Sequence, residues 1–216
     1  MKIIKNMANI KDDLLQHLYN DNPIIIPTDT NYNLACIPTS KIAIDKIFKF
    51  KERKKDKPLS LFFLDPSNWY LYGKATDKKV MNILVNSFWP GPLNIILDKI
   101  DNRFDYMLNN SMTISLGCIK NDTWRKLLSL TKIDAIAITS ANISGTVDNK
   151  LVTEDIAFNH MENKVEYLIS SNKKPNTSKS STIIRVIKNG VKIVRLGDIT
   201  KEDLERALIK DGYHVY

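Results

Sequence analysis

Two stretches of this chain bring oxygen-bearing side chains to the ends of apolar runs. Ile24-Ile25-Ile26 leads through Pro27 into Thr28-Asp29-Thr30, and Ile136-Ala137-Ile138 leads into Thr139-Ser140-Ala141-Asn142, followed by Ser144-Gly145. A buried strand that stops in hydroxyls, a carboxylate or an amide puts those groups at a sheet edge, where ligands of α/β proteins are commonly met. A third stretch carries charge: Lys46, Lys49, Lys51, Arg53, Lys54, Lys55 and Lys57 crowd one short segment, relieved only by Glu52 and Asp56. The ammonium of Lys51 and the guanidinium fork of Arg53 could between them neutralise several phosphate oxygens. Neither a GxxxxGK loop followed by Ser or Thr nor a GxGxxG turn occurs, so a bound nucleotide would have to be held by side chains. Each stretch also has a plainer use. Thr28 to Thr30 could form a cap or turn, Asn142 a left-handed turn beside Ser144-Gly145, and the basic run a solvated helix end.

The elements that must position these groups follow from periodicity. Ile10, Leu14, Leu15 and Leu18 give a helix over 9–20, Asn22-Pro23 breaks it, and a strand follows at 24–27. Ser40 caps a helix with the stripe Ile42, Ile44, Ile47 and Phe48, which decays into the basic segment and ends before Pro58. Strands are expected at 59–64, 93–97, 112–116, 135–139 and 167–169, with helices at 77–88 and 122–130 and a helix start at Thr153. Trp89-Pro90-Gly91-Pro92 makes a rigid corner after the third helix, and 172–180 reads as a polar loop. Ser181 to Ile187 and Val191 to Val194 flank Lys188-Asn189-Gly190, a hairpin signal, and a helix from Asp198 to Ile209 closes the chain. Alternating helices and strands interrupted by a hairpin predict an α/β domain with a mixed, twisted sheet.

Composition sets the limits. With 216 residues, 43% of them hydrophobic and 26% charged, the chain suits a single domain over 1–216 whose core needs no staple. Cys36 and Cys118 form no CxxC pair, and His17, His160 and His214 lack zinc spacing, which argues against a structural metal. No segment approaches the roughly 20 apolar residues that span a bilayer, so a reduced, cytoplasmic protein without membrane contact is expected. The net charge of +8 favours anionic partners such as nucleotides, nucleic acid or acidic lipid, or else reflects a surface rich in lysine everywhere. Only Phe48 and Phe50 interleave aromatics with the basic run, a slight signal for base stacking.

Taken in order, PTDTNYNL at 27–34, KERKKDKPLSL at 51–61, FWPGPLNIIL at 88–97, TSANISG at 139–145, STIIR at 181–185 and IVRLGDI at 193–199 resemble the YrdC family over nearly the whole chain. The resemblance implies an open α/β fold with flanking helices and a concave basic cavity. It implies an activity that joins L-threonine, bicarbonate and ATP into threonylcarbamoyl-AMP with release of pyrophosphate, supplying partner proteins that modify an adenosine of tRNA. On this resemblance Lys51 and Arg53 are the catalytic cations. Lys51, Lys55, Ser140, Asn142 and Arg195 bind ATP, while Thr28, Tyr32 and Ser181 surround threonine. Charge stabilisation at the α-phosphate and the departing pyrophosphate calls for fixed cations together with Mg²⁺, and no protein nucleophile is required. Asp29 would orient hydroxyls or act as a base.

The sequence departs from the family pattern at four places. Ser115 stands where an arginine that helps bind threonine is usual, Gly117 where proline is usual, Asn33 where glycine follows the tyrosine, and Arg185 where aspartate is common. Lys120 or Arg125 is then a candidate substitute cation. Two other functions stay open from sequence: an RNA-binding module that kept the fold without the chemistry, and a carbamoyl-handling paralogue with another acceptor.

Overall fold

The computed structural model describes residues 1–54, 57–147, 151–171, 175 and 177–216. Lys55, expected at the phosphates, lies outside the described residues, as does part of the polar loop at 172–180. The strands are β1 (Lys2–Ile4), β2 (Ile24–Pro27), β3 (Tyr32–Cys36), β4 (Ser60–Phe63), β5 (Gly73–Lys74) and β6 (Leu93–Lys99), then β7 (Thr113–Cys118), β8 (Ala135–Ser140), β9 (Tyr167–Ile169), β10 (Thr182–Ile187), β11 (Gly190–Arg195) and β12 (His214–Val215). They form one open mixed sheet in the order β1-β9-β2-β3-β8-β4-β7-β6-β10-β11-β12, with β5 paired to β6. The helices are α1 (Lys11–Tyr19), α2 (Lys41–Phe50), α3 (Lys78–Phe88), α4 (Asp105–Leu108), α5 (Asp122–Thr131), α6 (Glu154–Met161) and α7 (Lys201–Leu208).

Local chemistry sets the helix starts. Ser40 Oγ accepts from Ala43 N at 2.9 Å, Asp77 Oδ1 from Lys79 N and Val80 N, and Asn121 Oδ1 from Trp124 N. Each cap satisfies donors that the first helical turn leaves open. The closing helix begins three residues later than periodicity predicts. Thr200 and Asp203 form a reciprocal capping box, while Asp198 N is spent on Ser180 O at 2.9 Å, which holds 197–199 against the start of β10. The strand β3 was not expected at all, because Asn33 and Ala35 weaken its local signal. It is nevertheless fully buried, and it forms a hairpin with β2, so Thr28 to Asn31 is the hairpin turn.

Side chains alternate across the sheet and thereby sort into two cores. Ile25, Leu34, Leu61, Leu116, Ile95 and Ile184 face one side, where they pack with Ile44 and Ile47 of α2, Val80 and Leu84 of α3, and Leu204 and Leu208 of α7. Ile24, Ile26, Ala35, Ile136 and Phe62 face the other, against Leu14 and Leu18 of α1 and Trp124, Leu127 and Leu128 of α5. Fully burying one such side chain stabilises by roughly 1.5–3 kcal/mol. The second core ends at Phe62. Past it, among the described residues, a strip on the same face of β4, β7, β6 and β10 becomes the floor of a cleft.

Candidate functional site

The strip carries small polar side chains at alternate positions of neighbouring strands. Asn33 pairs with Ser140 across β3 and β8, Ile96 with Ser115 across β6 and β7, and Ile183 with Asn94 across β10 and β6. With Ser60 they floor a cleft of about 290 Å³. Ser60 Oγ donates to Ser115 Oγ at 3.2 Å, so the two hydroxyls occupy each other across β4 and β7. Thr28, Thr30 and Ser181 form one rim, and Arg53 and Arg195 bring the cations.

The rim is fixed by hydrogen bonds between distant segments. Thr28 Oγ1 donates to Asn31 O at 2.8 Å and accepts from Asn33 Nδ2 at 3.1 Å, while Thr30 Oγ1 lies 3.3 Å from Ser181 Oγ. Asn31 Nδ2 donates to Ser180 Oγ at 3.2 Å, so the β2–β3 turn is docked on the segment that enters β10. Arg195 Nη2 donates to Ser181 O at 2.7 Å, and Arg53 donates through Nε to Lys57 O and through Nη2 to Pro58 O. Backbone carbonyls thus steady both guanidiniums before any ligand arrives. Burial draws the Arg195 guanidinium below its ordinary value, yet arginine stays charged throughout the physiological range.

Four of the expected residues lie elsewhere. Lys51 is only 1% exposed and runs beneath the turn that follows β8. Its Nζ donates to Ser140 O and, at 2.8 Å, to Asn142 O. Burial, and secondarily the charge of Arg53, lower its pKa from 10.5 to about 7. Asn142 spends its side chain inside the same turn, accepting from Ser140 Oγ at 2.7 Å and donating to Ile143 O at 2.8 Å. Tyr32 turns away from the cleft: its hydroxyl donates to Glu154 Oε2 at 2.5 Å and accepts from Ser171 N at 3.0 Å. Burial first, then the Glu154 carboxylate, push that phenol above its ordinary value. Asp29 belongs to a neighbouring cavity with Lys120 and Asp198, where its carboxylate accepts from Lys120 N at 2.9 Å and burial raises its pKa.

Three described cations of the basic run have separate settings. Lys46 Nζ is tied to Asp21 O and Asn22 Oδ1, Lys51 is buried, and Arg53 turns into the cleft. Among the described residues no cluster of His, Cys, Asp or Glu could hold a metal, and no helix is long and apolar enough to cross a membrane.

The family model for Sua5, YciO and YrdC, described as "Telomere recombination", matches residues 16–197. The chain belongs to the Sua5/YciO/YrdC family. It is 30% identical over 193 residues to a Methanocaldococcus jannaschii protein provisionally named threonylcarbamoyl-AMP synthase, covering 89% of this chain and 88% of that relative. It is 26% identical over 188 residues to the threonylcarbamoyl-AMP synthase of Pyrococcus abyssi, covering 86% of this chain but only 53% of that longer protein. The structure of P. abyssi Sua5 complexed with L-threonine superposes with a TM-score of 0.87 at 22% identity, over all of this chain and 63% of that one. E. coli YciO gives 0.76 at 18% identity, over 94% and 96%. These structures share the fold.

The four departures from the YrdC pattern have structural counterparts. Ser115 lies on the cleft floor. Gly117 sits beneath the Phe62 ring, where an added Cβ would come within 2.6 Å, so no larger residue fits without moving Phe62. Asn33 is not among the residues at positive φ, and its amide braces the β2–β3 turn through Thr28 Oγ1 and Asn31 O. Arg185 pairs with Asp98 at 3.6 Å, both half-exposed. Of the two substitute cations, Lys120 lines the neighbouring cavity, and Arg125 donates to Leu64 O at 3.1 Å. Thr30, singled out with Thr28 at the end of an apolar run, lines the cleft; sequence reading missed Ser60 and Asn94, for which the signal available was a polar side chain at alternate positions of an otherwise apolar strand.

Proposed function

We propose that this protein joins L-threonine, bicarbonate and ATP into threonylcarbamoyl-AMP, releasing pyrophosphate, and that the product supplies a threonylcarbamoyl group for an adenosine of tRNA. The observation that carries the reading is the pair Arg53 and Arg195 on one cleft whose floor and rim set hydroxyls and amides among apolar side chains. Such a surface suits a triphosphate on the cationic side and the polar groups of a small amino acid beside it.

In this reading the amino acid lies along Thr28, Thr30 and Ser181, and the nucleotide lies over Ser140 with its phosphates between the two arginines. The threonine amine attacks the bicarbonate carbon, and the hydroxide that leaves takes up an amine proton, so a carbamate and one water are formed. A carbamate oxygen then attacks the α-phosphate and pyrophosphate leaves. The protein's part is to align the reactants and oppose charge as it builds at the α-phosphate and the leaving group, which fixed guanidiniums do without reorganising. Among the described residues the lining includes no carboxylate that would seat Mg²⁺. Magnesium would enter on the phosphates of its substrate MgATP, where it neutralises their charge.

The test is incubation of the pure protein with ATP, Mg²⁺, bicarbonate and threonine, with detection of pyrophosphate and of the mixed adenylate. Product that requires threonine supports the synthase. Pyrophosphate release independent of threonine indicates a different acceptor, as Ser115 on the floor would permit. No turnover with tight, salt-sensitive RNA binding indicates an RNA-binding module.

A further inference from the structure

The β2–β3 turn and the entry of β10 both border the cleft, yet β8, β4, β7 and β6 lie between β3 and β10 in the sheet. Strand pairing therefore does not join these two segments, and side chains close the cleft between them. Thr30 Oγ1 meets Ser181 Oγ at 3.3 Å, and Asn31 Nδ2 donates to Ser180 Oγ at 3.2 Å. The acceptor of the Asn31 amide is also spent, since Oδ1 accepts from Val152 N at 2.8 Å, just before α6. Elsewhere the turn rests on the start of α5: Asn121 Nδ2 donates to Thr28 O, and Lys120 N donates to Asp29 Oδ2. One neutral side chain thus ties together segments at 31, 152 and 180 that are distant in the chain.

We propose that Asn31 is a positioning residue for the amino acid: through Ser180 it sets the gap between Thr30 and Ser181, and it acts without touching the substrate itself. The identity of the amino acid rests on the synthase reading; the tether does not. An amide suits this task because it carries a donor and an acceptor in one plane, so a single side chain reaches a hydroxyl on one side and a backbone N–H on the other. Both of its polar ends are engaged before any ligand arrives, which holds the rim in shape. Arg195 has further support of its own, since it stands opposite Ile183 in the β10–β11 ladder and donates to Ser181 O. The tether therefore governs the amino-acid side of the cleft, and the ladder keeps the cationic side in place.

Ser180 is the informative position, because among the described residues Asn31 belongs to the cleft lining and Ser180 does not. Ser180→Ala removes the partner of Asn31 and leaves the lining intact. In steady-state assays its threonine KM should rise about three- to tenfold, the range for one neutral hydrogen bond, while the ATP KM stays within about twofold of wild type. Ser180→Thr, which keeps a hydroxyl, should restore the threonine KM. An unchanged threonine KM in Ser180→Ala overturns the proposal; if Asn31→Ala raises it nonetheless, Asn31 touches the substrate directly. A rise in the ATP KM equal to that for threonine also overturns it, since a general loosening of the fold gives that result. Urea denaturation of the unliganded Asn31→Ala and Ser180→Ala variants and of their double variant provides the arm that needs no substrate. The double variant's change in unfolding constant should fall short of the product of the single changes by about threefold or more. A plain product removes the tether, whatever the protein binds. If the wild type shows no threonine-dependent turnover while the cycle is coupled, the synthase reading fails and the tether stands.

Discussion

Gly197 lies where the chain leaves β11 and crosses the start of β10, and replacing it with alanine should disturb the cleft from outside its lining. A Cβ there would sit 2.0 Å from Ser180 O, 2.6 Å from Ser181 C and 2.7 Å from Thr182 N. All three are backbone atoms, so no rotamer change relieves the contact and the two segments must part. Three hydrogen bonds cross or border that junction: Gly197 N to Thr182 Oγ1 at 2.9 Å, Asp198 N to Ser180 O at 2.9 Å and Thr182 N to Pro92 O at 3.1 Å. At roughly 0.5–1.5 kcal/mol each, their loss costs about 1.5–4.5 kcal/mol. At about 2–4 °C per kcal/mol for a chain of this size, the melting temperature should fall by roughly 3–18 °C. Ser181 and Arg195 flank the junction and line the cleft, so nucleotide affinity should fall in the same variant. Thermal denaturation followed by circular dichroism reads the first effect and calorimetric titration with ATP the second. A melting temperature within about 1 °C of wild type would show that the junction yields without cost and that the close approach is not holding the rim.

Other substitutions test separate parts of the site. Arg195→Ala removes a charged donor worth roughly 1.5–3 kcal/mol, so kcat/KM for ATP should drop about 10- to 150-fold in steady-state assays while the fold, by circular dichroism, stays intact. Tyr32→Phe strips the hydroxyl that donates to Glu154 and accepts from Ser171 N. Urea denaturation should then report a loss of about 1–3 kcal/mol, with threonine KM unchanged if the tyrosine does not touch that substrate. The pKa of Lys51 is depressed on folding, so between about pH 7 and its ordinary 10.5 the unfolded chain holds the extra proton. The contribution of Lys51 to stability therefore rises with pH across that window and is lost as pH falls through the folded value. Urea midpoints of the wild type should climb relative to Lys51→Met between pH 7 and 10.

Much of the architecture was legible because strong local signals agree with tertiary packing. The Ile24–Ile26 run, the Ser40 cap, the stripe of α3 and the Asn-Gly turn between β10 and β11 each announce their element, and the sheet that joins them is mixed as the hairpin implied. What escaped is what only the assembled sheet decides. The strand β3 has weak propensity and exists because β2 and β8 bury it from both sides. The segment before α7 was diverted from helix by its pairing with the start of β10. The same distinction runs through the site. Residue types pointed to Thr28, Arg53 and Ser140, and the family resemblance to Ser181 and Arg195, all of which the sheet brings to one cleft, but type alone does not tell a lysine at a cleft surface from one beneath a turn. Nor does sequence show that α1 and α5 cover only part of one face, which is why Ser60, Asn94 and Ser115 became a floor while Ile24 and Ile136 became core.

The central claim is that the uncovered face between Arg53 and Arg195 holds the nucleotide. A crystal structure of the protein with a non-hydrolysable ATP analogue and threonine tests it most directly. The account predicts phosphate density between the two guanidiniums, with the amino acid beside Thr28 and Ser181. A nucleotide seated in the neighbouring cavity beside Asp29, with the arginines untouched, would contradict it.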